Sequence, residues 1–127
     1  MSLKEILCAA LEHLGADVSR FQFDDHSTIA MSFDDVGDVY LDPRPNEQVW
    51  LWGLLEPLEE QARNVVAAPL LNEVLREVPH WEAGALTVRA DGRVGGLLHS
   101  ECAGDPEQLA AALQDFHECL GRLQSIK

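Results

Sequence analysis

The chain has 127 residues, 46% of them hydrophobic, with 22 acidic against 9 basic side chains and a net charge of −13. That length sets a single domain with one core, the apolar content excludes a disordered chain, and the sign of the charge opposes nucleic acid and anionic lipid surfaces. Residues 1–60 hold 13 acidic and 3 basic side chains, so −10 of the charge lies in the N-terminal half; such a surface favours a basic or amphipathic polypeptide partner, and a merely solvated surface carries the same signature.

Leu3, Ile6, Leu7, Ala10, Leu11 and Leu14 recur three and four apart, which draws one apolar stripe along a first helix. Ser2 and Glu5 fit a capping box at its start and Gly15 fits its stop. Acidic residues inside this stripe and the lack of a basic leader argue against a signal peptide. No uncharged run reaches the roughly 20 residues that cross a bilayer, so the reading is a cytoplasmic protein without membrane insertion. Residues 27–33 alternate as a strand with Ile29, Met31 and Phe33 on one face. A turn at residues 34–37 leads to a second strand over residues 38–42, which Pro43 and Pro45 end because neither can donate to a ladder.

The third strand, residues 48–54, is apolar on both faces, with Val49 and Leu51 pointing one way and Trp50, Trp52 and Leu54 the other. A sheet with helices on one side covers one face only, so the second requires a partner subunit, a ligand or an extra element, unless the strand is sandwiched inside its own domain. Residues 56–78 read as a helix that Pro57 starts and Pro69 breaks near Ala67 and Ala68. Strands over residues 85–90 and 93–99 follow, joined by Asp91-Gly92. Asp105-Pro106-Glu107-Gln108 opens a last helix carrying Leu109, Leu113, Phe116, Leu120 and Leu123. The order α-β-β-β-α-β-β-α groups its strands, which predicts an α+β fold with an antiparallel β-sheet packed with three helices in a single domain over residues 1–127.

Catalytic and metal-binding patterns are absent. The histidines His13, His26, His80, His99 and His117 show no H-x-x-x-H or H-E-x-x-H spacing, and Cys8, Cys102 and Cys119 form no C-x-x-C and no even disulfide set, which fits a reducing compartment. Asp24-Asp25-His26-Ser27 holds triad residue types, but sequence neighbours seldom reach triad geometry. The carboxylate pairs Asp24-Asp25, Asp34-Asp35 and Glu59-Glu60 sit at turns or a helix start, where solvation and the helix dipole account for them. The reading is a non-enzymatic protein with no cofactor.

The segments Asp25-His26-Ser27-Thr28-Ile29 and Val49-Trp50-Leu51-Trp52, together with the element order, resemble the class I type III secretion chaperones, specifically the invasion-type SpaK/InvB branch. That resemblance implies a compact homodimer that binds the N-terminal segment of secreted effectors in extended form, delivers it toward the secretion ATPase or sorting components, and needs no catalytic residue. It assigns Phe21, Phe23, Ile29, Met31, Leu41, Trp50 and Trp52 to effector grooves. Dimer contacts fall on the second helix at Val65, Leu70 and Val74 and on the hairpin strand at Leu86 and Val88. The alternative is an acidic dimeric adaptor or inhibitory partner that binds a folded protein.

Overall fold

The computed structural model describes residues 3–15, 28–33, 36–44, 48–54, 60–89 and 92–124, without the side chains of Lys4, Ser32, residues 60–66 and Gln124. The N-terminal stripe forms helix α1 (Leu3–His13), which buries Ile6, Leu7, Ala10 and Leu11 on one face. Gly15, at φ 81°, takes the left-handed conformation just past its end.

Five strands form one antiparallel sheet: β1 (Ile29–Phe33), β2 (Gly37–Arg44), β3 (Gln48–Leu54), β4 (Thr87–Val88) and β5 (Arg93–Leu97), in the order β1-β2-β3-β5-β4. The described residues also form the helices α2 (Glu60–Leu75), α3 (Ser100–Ala103) and α4 (Pro106–Gln124). The α+β class and the grouped strands are as expected; the one-turn helix α3 is an addition to the expected order.

One face of the sheet and the inner stripes of α1 and α4 share the core. Ile29 and Met31 of β1, Val39 and Leu41 of β2, Val49 and Leu51 of β3, and Val94 of β5 are buried with Leu109, Phe116, Leu120 and Leu123 of α4. Each such side chain contributes roughly 1.5–3 kcal/mol of transfer free energy. Helix α4 starts where the sequence places it: Pro106 occupies the first turn, and Asp105 Oδ2 accepts a hydrogen bond from the Gln108 N–H at 3.3 Å. Gly53 lets α4 come close to the sheet, since a β-carbon there would lie 2.8 Å from Leu120 Cδ2.

Three expectations change. Strand β2 runs through Pro43, opposite Val49 of β3, to Arg44, and among the described residues its pairing with β1 ends at Ile29 and Leu41. Helix α2 is continuous through Pro69 and ends at Leu75. Its lost backbone bond is offset by tertiary anchors, with Leu70 and Val74 packed on the core and Glu73 paired to Arg122 of α4 at 2.6 Å. Strand β4 is only two residues long, because residues 78–86 form a loop that covers the rest of β5: Trp81 bridges Leu98 and the Glu82 N–H donates to the Leu97 carbonyl at 2.8 Å. That loop shields an edge that would otherwise invite another strand.

Candidate functional site

Antiparallel register assigns the second face of the sheet. Trp50 stands opposite Asp42 on β2 and Leu97 on β5, Trp52 opposite Tyr40 and Gly95, and Leu54 opposite Arg93. Directly opposed residues share a face, so Tyr40, Trp50, Trp52, Leu54 and Leu97 lie together on the side away from the core. Leu54 is 44% exposed, while Tyr40, Trp50 and Leu97 are half-buried. The two indoles stack with centroids 5.1 Å apart and planes 5° from parallel. The Arg89 guanidinium covers Trp52 at 5.0 Å from the ring centroid, which leaves that indole only 6% exposed. Gly95 makes room in this layer: its φ of 150° suits glycine, and a β-carbon would meet the Leu51 carbonyl oxygen.

Polar groups frame the aromatic surface. Asp42 accepts from the Thr28 hydroxyl at 3.2 Å and pairs with Arg44 at 2.8 Å, and the Tyr40 hydroxyl donates to Asp38 at 3.3 Å. Partial burial, with the Asp38 charge adding to it, raises the Tyr40 pKa above its ordinary value and keeps the phenol protonated.

The sequence-derived groove residues separate. Trp50 and Trp52 meet on the outer face as expected. Ile29, Met31 and Leu41 do not join them: all three are buried in the core that the sheet shares with α1 and α4. Phe21 and Phe23 lie outside the described residues. Leu54 shares the face of the tryptophans, as alternation along the strand implies; Tyr40, Leu97 and Arg89 were missed as companions, because the pairing register that collects them cannot be read from one strand at a time.

The residues expected at a subunit interface also separate. Leu70 and Val74 pack in part against the chain's own core, Leu86 is buried, and the Val65 side chain lies outside the described set. Val88 is exposed. Helix α2 instead presents Leu71 and Leu75, 56% and 69% exposed, one turn apart on a face shared with exposed Ala67 and Ala68. Large apolar side chains so placed mark an association surface more often than a lone exposed leucine does.

The titratable groups explain packing rather than chemistry. Burial, reinforced by Glu73, pushes the Cys119 thiol up to about 12, and burial with Glu101 and Asp105 raises that of Cys102, so both are poor nucleophiles at neutral pH. Glu73 is held below the usual carboxylate range by its hydrogen bond from Arg122. Arg76 grips Asp115 with contacts of 2.6 and 2.8 Å beside a cavity of about 500 Å³ that His80 also lines. His80 is buried with no hydrogen-bond partner for Nε2 among the described residues, and burial lowers its pKa. Among the described residues, no three His, Cys, Asp or Glu side chains converge to hold a metal ion, and no helix is long and apolar enough to cross a membrane.

No curated protein matches the chain. The family model of the invasion protein B family matches residues 15–92, a span that runs from just past α1 through β4 and takes in Tyr40, Trp50, Trp52 and Leu54 of the aromatic face and the exposed side of α2, but not Leu97 on β5. With more than half of its length matched, the chain belongs to the invasion protein B family of type III secretion chaperones.

Proposed function

We propose that the protein is a cytoplasmic homodimeric chaperone that holds the N-terminal segment of a secreted effector in extended form across the outer face of its sheet. The observation that carries this reading is the layer of Tyr40, Trp50, Trp52, Leu54 and Leu97, an apolar surface left partly open on a sheet whose other face is closed by α1 and α4. An extended segment lying there gains apolar anchors, and its ordering cost is spread over a large contact. The stacked tryptophans form a rigid bed that loses little side-chain entropy when covered. Dimerisation is assigned to Leu71 and Leu75 of α2 together with Val88, with Leu70 and Val74 supporting the helix from beneath. Nothing in this mechanism calls for bond chemistry.

Co-expression tests the proposal. N-terminal fragments of secreted effectors are expected to become soluble and co-purify with the chaperone while remaining protease-sensitive, at a light-scattering mass near two chains of 14.0 kDa plus the fragment. Selective capture of intact folded domains, or a concentration-independent monomer, would refute it.

A further inference from the structure

Although the chain carries −13 overall, the described part of the aromatic face does not share that excess. Among the described residues, the outer layer of the sheet and its rim carry Asp38, Asp42 and Glu82 against Arg44, Arg89 and Arg93. Asp42 is engaged with Arg44. Arg89 differs from the other two in what it touches.

Its backbone N–H donates to the Arg93 carbonyl at 2.8 Å, and Arg93 stands opposite Leu54 on β3. The Arg89 backbone therefore lies at the Leu54 end of the platform. The guanidinium lies over the Trp52 ring, and no carboxylate among the described residues pairs with it. A guanidinium laid on an indole keeps its N–H groups directed outward in the ring plane, available to an acceptor. Stacking also removes much of the freedom that an exposed arginine would otherwise lose on binding.

We infer that Arg89, held on Trp52, receives a carboxylate from the bound segment, so the preferred client carries an Asp or Glu next to the apolar residues that lie on Trp50, Leu54 and Leu97. This rests on the proposed docking face and adds a polarity to it. The acidic residue sits at the Leu54 end, and the apolar anchors extend from there toward Trp50. The overall acidity of the chain then acts against acidic polypeptides elsewhere on the surface, while this one position accepts them.

Two synthetic peptides of alternating leucine and serine, identical except for one glutamate or glutamine near one end, test the assignment on the full chain by tryptophan fluorescence titration. The glutamate peptide is expected to bind about tenfold more tightly at low salt, as a hydrogen-bonded charge pair allows, with the difference shrinking as salt is added. Arg89→Gln and Arg89→Met, the second of which keeps an apolar cover on Trp52, are expected to bring the affinities of the two peptides together. Arg89→Lys keeps the charge and loses the planar fork, and should retain only part of the preference. Equal binding of the two peptides to the unsubstituted protein, or a preference that survives Arg89→Met, overturns the assignment and leaves the docking face standing. Failure of both peptides to perturb Trp50 and Trp52 overturns the docking face and the assignment together.

Discussion

Trp50 and Trp52 share a sheet face and differ in what each holds in place. Trp52 is sealed beneath Arg89 and Trp50, so Trp52→Ala is expected to lower stability by about 3 kcal/mol, within the usual range for a buried aromatic. Trp50 is half-buried, and Trp50→Asp should cost less than about 1.5 kcal/mol; urea unfolding of the two variants decides this. His80 gives a pH dependence. Burial lowers its folded pKa below the ordinary 6.5, with Asp115 opposing and Arg76 adding to the shift, so the unfolded chain takes up the proton first as pH falls. Its contribution is complete above about pH 6.5 and is lost below it as pH drops through the folded value, so the urea midpoint should fall between about pH 7 and about pH 5, and less so in His80→Phe. Single residues were unevenly legible. Alternation with Ala30 and Ser32 puts Ile29 and Met31 on one face, but which face α1 and α4 cover is decided by packing, and packing sends that pair inward.

At the scale of elements, periodicity read α1 and α4 well because each has one strongly apolar stripe and a clear start or stop in Gly15, Asp105 and Pro106. Helix α2 was harder: its apolar residues circle the axis, since Leu70 and Val74 face the core while Leu71 and Leu75 face outward. A helix that is apolar on two sides is what a subunit interface requires, and that same feature blurs its periodicity. Leu71→Glu combined with Leu75→Glu is therefore expected to yield a folded monomer by light scattering with an unchanged circular dichroism spectrum. Pro69 lies inside the continuous helix, where proline is disfavoured, so Pro69→Ala should raise stability by about 1–3 kcal/mol. A drop in melting temperature would instead give Pro69 a packing role. The hairpin strands were read as too long because the sequence does not announce that the loop around Trp81 takes over the pairing of β5 beyond β4.

For the whole molecule, the α+β class and the double-faced third strand were visible from the spacing of apolar residues, whereas the charge was a poor guide to the client surface. The −13 is a sum over the chain; the local balance beside Trp52 is set by which residues the β3–β5 register brings together, and that information is long-range. A one-sided sheet, an apolar outer layer and an exposed α2 stripe are the three features on which the proposed second copy and client rest. The most direct measurement is co-purification of N-terminal effector fragments with the unsubstituted protein and with its Trp50→Asp variant, each checked for dimer mass and fold. The account predicts a folded Trp50→Asp dimer that no longer retains the fragments. Undiminished retention by that folded variant would contradict it.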